Sequence, residues 1–119
     1  MTDIQRAMLG DHDAAARLTE QGVLLPCPWC NENFVWVGVH DDEGNYHGPL
    51  GCGYEDDPWS GLSYALHHDG WGDCILCTDG FNGVMGGMLF NTVKEAIMRW
   101  NTRAPLLTPE QIERLEEMI

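Results

Sequence analysis

The chain has 119 residues, a length that suits one domain, and 44% hydrophobic against 21% charged residues supplies a modest core and argues against wholesale disorder. Nineteen acidic residues against six basic ones give a formal net charge of −13, and between Arg17 and Lys94 there is no Lys or Arg but there are eleven carboxylates. Phosphates repel such a stretch, which speaks against direct nucleic-acid binding, and the longest apolar run, Phe34 to Val39, is far shorter than the ~20 residues of a membrane span.

The N-terminal segment has Asp3, Asp11 and Asp13 where a secretory signal carries basic residues, and it has no sustained apolar run. A cytoplasmic location is therefore expected, and in that reducing setting five cysteines indicate metal or redox chemistry rather than disulfides. Residues 1–22 read as a helical arm. An early turn starts at Thr2 or Asp3, Asp11 caps the following segment, Ala14, Ala15 and Leu18 form its apolar stripe, and Gly22 ends it.

Residues 23–90 carry the cysteines. Val35, Val37 and Val39 alternate with Phe34 and Trp36 in a strand over 33–40, and the DDEGNY segment after it predicts a hairpin turn around Glu43 to Asn45. Residues 38–72 form an insertion, rich in Gly, aromatics and His from Gly48 to Gly72, with one helical turn expected over 60–67. Residues 91–119 hold two helices. Thr92 and Glu95 have capping-box spacing before a helix over 93–100 that turns Ala96, Ile97 and Trp100 inward. Thr108, Pro109 and Gln111 start the last helix, whose stripe is Ile112, Leu115 and Ile119.

Cys27-Pro-Trp-Cys30 and Cys74-Ile-Leu-Cys77 are two C-x-x-C pairs in one small chain, the spacing that lets two tight turns present four thiolates to one structural zinc ion. The expected fold is thus α+β: a small zinc ribbon of β-hairpins around a four-cysteine site, an N-terminal helical segment and two C-terminal helices. A rubredoxin-like iron centre uses the same four sulfurs. Four thiolates around zinc would take the charge to about −15. After the second cysteine of each knuckle the backbone often turns left-handed, which Asn31 accommodates and the β-branched Thr78 does not. Cys52, in Pro49-Leu50-Gly51-Cys52-Gly53, is a rival ligand that could join Cys27, Cys30 and a histidine.

Catalytic readings find little support. The H-x-E half of a zinc deaminase is absent, and His67-His68 lacks the downstream histidine of a His-Asn-His nuclease. A thioredoxin-like C-P-W-C would need a βαβ context that the pattern does not supply. His12, His40 and His47 read as surface residues, and Trp29, Trp36 and Trp100 as core. Trp59 and Trp71 sit among acidic residues and glycines, where either core packing or partner anchoring fits.

Leu24-Leu25-Pro26-Cys27-Pro28-Trp29-Cys30, then Cys74-x-x-Cys77, then Glu95-Ala96-Ile97-Met98-Arg99-Trp100-Asn101-Thr102-Arg103 resemble the Lar family of phage and prophage restriction-alleviation proteins. Those are small zinc-ribbon proteins with a leading L-x-P-C-P-x-C and a closing E-A-x-x-x-W-N-x-R. The resemblance covers about 24–34 and 74–104, not the terminal helices or the insertion, and Asn31 and Thr78 stand where the family usually has Gly. It implies a protein that weakens host restriction in the cytoplasm of a bacterial host. The charge of the chain leads independently to a non-enzymatic counter-defence protein acting on a restriction-modification or CRISPR effector complex with a basic surface. The acidic triplets Asp41-Asp42-Glu43 and Glu55-Asp56-Asp57, with Trp59 and Trp71, are the candidate partner-binding residues, their carboxylates imitating nucleic-acid charge. A zinc-ribbon adaptor regulating transcription or replication through protein contacts is the alternative.

Overall fold

The computed structural model describes residues 1–31, 35–68, 74–77 and 88–119. Two short helices open the chain, α1 (Asp3–Met8) and α2 (His12–Glu20). Thr2 and Gln5 form a reciprocal capping box at α1, and Asp11 caps α2 by accepting from the amides of Asp13 and Ala14. Gly22, at φ +72°, ends the arm in the left-handed conformation that favours glycine.

A three-stranded antiparallel sheet follows, in the order β2-β1-β3, from β1 (Val35–His40), β2 (Tyr46–Pro49) and β3 (Ser63–His68). Val35, Val37 and Val39 are buried as the alternation predicts. The hairpin turn joins β1 to β2, and a single helical turn, α3 (Gly53–Asp56), lies between β2 and β3. The helical turn predicted over 60–67 is instead mostly strand: all six residues of β3 are buried, so no alternation marks it, and Tyr64 bridges Phe90 on its outer edge. The predicted strand residues Asn33 and Phe34 lie outside the described residues.

The last two helices are α4 (Val93–Asn101), packed on α2 and the sheet, and α5 (Pro109–Glu117), none of whose residues is buried. Thr92 Oγ1 accepts from the Glu95 amide at the start of α4. Ala96 and Ile97 enter the main core with Val35, Val37, Tyr54, Tyr64 and Phe90, while half-buried Trp100 packs against both that core and the small helical one of Ala7, Ala14, Ala15, Leu18 and Leu25. Trp29, read as core, is 65% exposed, because the tight turn around Pro28 leaves its side chain outside.

His40, read as a surface residue, is fully buried. Its Nδ1 lies 3.0 Å from the Gly44 carbonyl, so Nδ1 carries the proton, and Nε2 accepts from His67 Nε2 at 2.8 Å. His67 is also fully buried and stacks on Trp36 with ring centroids 4.4 Å apart. Gly38 permits this: a Cβ there would lie 2.7 Å from the His67 ring.

The end of α4 grips the extended segment leading to the first cysteine. Asn101, fully buried, accepts from the Leu25 amide at 2.9 Å and donates to the Val23 carbonyl at 2.7 Å and Thr19 Oγ1 at 3.2 Å. Trp100 Nε1 donates to the Leu25 carbonyl and Arg103 Nη2 to the Pro26 carbonyl, at 2.7 and 2.9 Å. Replacing Asn101 by Ala strands buried backbone groups of Leu25 and Val23, so urea unfolding of the metal-loaded protein is expected to show a loss of about 3 kcal/mol or more. A loss under about 1 kcal/mol would mean that water satisfies them.

Candidate metal centre and acidic lobe

Four donor residues converge from three parts of the chain. In the first turn the Asn31 amide donates to the Cys27 carbonyl at 2.8 Å, and Asn31 takes φ +62° as predicted. His68 ends β3, where pairing with β1 sets it opposite Val35. Strand alternation sends His67 and His68 to opposite faces, the first to His40 and the second to the cysteines. Cys74 opens a second turn, closed by the Cys77 amide on the Cys74 carbonyl at 3.0 Å.

The donor atoms of Cys27, Cys30, His68 and Cys74 all lie within 4.8 Å of one another. Cys27 and Cys74 Sγ are 3.7 Å apart, and Cys30 Sγ and His68 Nε2 are 3.4 Å apart. Zinc with Zn–S near 2.3 Å and Zn–N near 2.0–2.1 Å in a tetrahedron requires edges of about 3.8 and 3.6 Å, which these two separations approach. Three sulfurs and one nitrogen form a recognised structural zinc set, whereas a rubredoxin-like iron centre takes four sulfurs.

The structure thus brings together three of the four predicted cysteines and adds His68. Cys77 is half-buried against the core and stands outside the group of four, as does Cys52, which heads α3. Thr78 lies outside the described residues. The adjacent pair His67-His68 was the available signal for His68, but only the β1–β3 register brings it to the knuckle.

Without metal the two buried thiols differ. Burial raises the Cys27 thiol, but the amides of Cys30 and Trp29 and the neighbouring thiols outweigh it and hold it below its ordinary value. Burial pushes the Cys74 thiol up to about 11, and the adjacent Cys27 and Cys30 add to the rise. Cys74 must lose its proton to bind metal, so zinc affinity is expected to rise with pH through neutrality.

The two acidic triplets share one lobe. The Asp42 amide donates to the Ser60 carbonyl, Gly61 at φ +80° leaves room for the Asp42 carboxylate, and Trp59 packs edge-on against Tyr54 and His47. Tyr54 ties the loop together by donating to the Gly61 carbonyl and accepting from the Ser60 amide.

Not all six carboxylates face outward. Asp41 is buried, its Oδ1 accepting from the amides of Glu43 and Asn45 and its Oδ2 from Asn45 Nδ2 and from His47 at 2.9 Å. Glu55 is half-buried, accepting from the Gly51 amide and from Tyr64 Oη at 2.7 Å. Asp42, Glu43, Asp56 and Asp57 remain exposed, and Trp59 is 75% exposed. Trp71 lies outside the described residues.

Compared with protein-family models, with curated proteins and with solved structures, the chain finds no match. No helix among the described residues is long and apolar enough to cross a membrane.

Two measurements test the metal centre and the buried carboxylate. Purified protein is expected to hold one zinc ion per chain, with metal and thermal stability lost in His68→Ala and Cys74→Ser but kept in Cys77→Ser. The reverse pattern for His68 and Cys77 would return the fourth position to the cysteine. The Asp41 carboxyl is held well below the usual carboxylate range, chiefly by His47 and then by the Asn45 and Glu43 groups, against the opposing effect of burial. Its stabilising contribution is therefore complete above about pH 5 and is lost as pH falls through and below the unfolded value of about 3.9. The gap in melting temperature between wild type and Asp41→Asn is expected to narrow in acid. Both proteins share the same cysteine–histidine group, so any acid sensitivity there cancels in the gap and the carboxylate is isolated.

Proposed function

We propose that this chain is a non-catalytic binding protein: a zinc-ribbon-like metal centre stabilises a small core, and an acidic lobe meets a basic surface on a partner. The observation that carries this reading is the interlocked lobe, in which residues 41–47 and 53–61 brace one another while Asp42, Glu43, Asp56, Asp57 and Trp59 remain exposed. Carboxylates on a braced scaffold lose less conformational entropy on binding than the same charges on a loose loop. An exposed aromatic among them is the residue type that anchors interfaces.

The partner proposed is a host DNA-targeting defence complex. Such machinery must hold a polyanion in a basic channel, and a chain without Lys or Arg over 18–93 is suited to occupy it. The resemblance of the Cys27 and Trp100-Asn101 motifs to Lar proteins supports the same reading and a site of action in the bacterial cytoplasm.

The test is phage plating on host cells expressing the protein, scored separately against restriction and CRISPR interference. Rescue under one system is expected, falling at least tenfold when Asp42, Glu43, Asp56 and Asp57 are all changed to their amides, with the folded, metal-loaded state checked in parallel. Rescue that survives these changes would remove the charge mechanism. Absence of rescue under both systems would remove counter-defence and leave the adaptor reading.

A further inference from the structure

The C-terminal helix has the markings of a stable element and no surface to lie on. Thr108 and Gln111 form a complete capping box with Pro109 at its first position, yet every residue of α5 is exposed. Its apolar residues Ile112 and Leu115 are 43% and 49% exposed, Leu106 and Leu107 before it 73% and 51%, and Ile119 beyond its end 104%. A helix of nine residues is marginal in water on its own, below the ~12–15 residues that isolated helices need, so a helix so marked is built to be covered. The connecting chain is held at Pro105, which packs so closely on Gly10 that a Cβ there would lie 2.6 Å from Pro105 Cα. Only residues 106–108 then separate this anchor from α5.

The body carries a matching groove. A cavity of about 460 Å³ is walled by Leu66, Leu76, Phe90 and Trp100, with Arg99 and Arg103 also lining it. In so acidic a chain free cations are scarce. Arg6 and Arg17 pair with Asp3, Lys94 with Glu20, and Arg103 is held by the carbonyls of Trp100 and Pro26. Exposed Arg99 has no such partner among the described residues. The polar face of α5 is acidic, with Glu110, Glu113, Glu116 and Glu117 against Arg114. A second hollow of about 400 Å³, between Leu24, Trp36, Leu50 and Ile97, contains no charged residue. Pairing α5 with α5 would set like charges together. Apolar fit allows each of these occupants, and charge selects the arginine groove.

We propose that α5 of one copy docks into the Arg99 groove of a second copy, and reciprocally, giving a dimer that exchanges its C-terminal helices. Sedimentation equilibrium of the metal-loaded full chain over a wide concentration range is expected to show a mass rising from 13.3 kDa toward twice that. Leu115→Asp, which would bury a charge in the groove, should weaken dimerisation about a hundredfold or more, and Arg99→Glu about tenfold or more. Both positions are exposed, so metal content and the fold of the body should not change. Mixing the two variants should restore part of the dimer, since one carries an intact groove and the other an intact helix. A monomer at all concentrations, including one that Leu115→Asp destabilises because the helix folds onto its own chain, overturns the proposal. So does a dimer that Leu115→Asp abolishes and Arg99→Glu leaves unchanged, which would place α5 against itself or in the uncharged hollow.

Discussion

Asn101 has one acceptor oxygen and two N–H donors on its side-chain amide, and all three are engaged, fully buried, on Leu25, Val23 and Thr19. The segment it grips belongs to no strand, so its backbone groups have no ladder to satisfy them, and buried peptide groups without partners are costly. Trp100 and Arg103 complete the substitution by taking the carbonyls of Leu25 and Pro26. Arg103 lies with Cζ 4.9 Å from the centre of the Trp100 ring, so the two donors also support each other. No other side chain of similar size fits Asn101: Asp lacks the donors for Val23 and Thr19, and Leu lacks the acceptor for Leu25. Residues 76 positions apart thereby fix the approach of the chain to Cys27. The closing W-N-x-R pattern is thus the hydrogen-bonding complement of the leading L-x-P-C-P pattern.

What was legible in the sequence was local. Asp11, Thr92 and Thr108 cap the helices that their spacing announces, and the valines of β1 alternate into the core, because caps and alternation are decided within a few residues. β3 was hidden for the opposite reason. Buried throughout, it has the composition of neither an alternating strand nor an amphipathic helix, and its identity depends on pairing with β1 and the bridge to Phe90. The metal centre divides along the same line. The C-x-x-C spacing announces Cys27, Cys30 and Cys74, but His68 is brought to them by sheet register, a non-local fact, while Cys77, which completes the second C-x-x-C, has the more obvious spacing.

Composition misleads most about charge. Counted from the sequence, six carboxylates in two triplets look equivalent, yet Asp41 is the acceptor around which the β1–β2 turn is built, and Glu55 joins the start of α3 to β3. Likewise His40 and His67 are polar rings in an interior where composition alone would not put them. They are stable there because one ring supplies the proton and the other the lone pair, while the Gly44 carbonyl fixes which is which. Both cases follow from one rule, that a polar group can leave water when a partner of the right kind is already held in place.

That rule also bears on the choice of donors at the metal centre. Three thiolates and a neutral imidazole around Zn²⁺ leave one net negative charge, where four thiolates would leave two. In a chain already at −13 the smaller charge lessens the self-repulsion that a compact acidic protein must overcome, most of all within the ~8–10 Å over which salt does not screen it. One metal ion cross-linking these three distant segments would add stabilisation on the order of 10 kcal/mol, comparable to the whole stability of a small domain. A chain so supported would tolerate four exposed carboxylates and an exposed tryptophan on its lobe, surface that contributes nothing to its core.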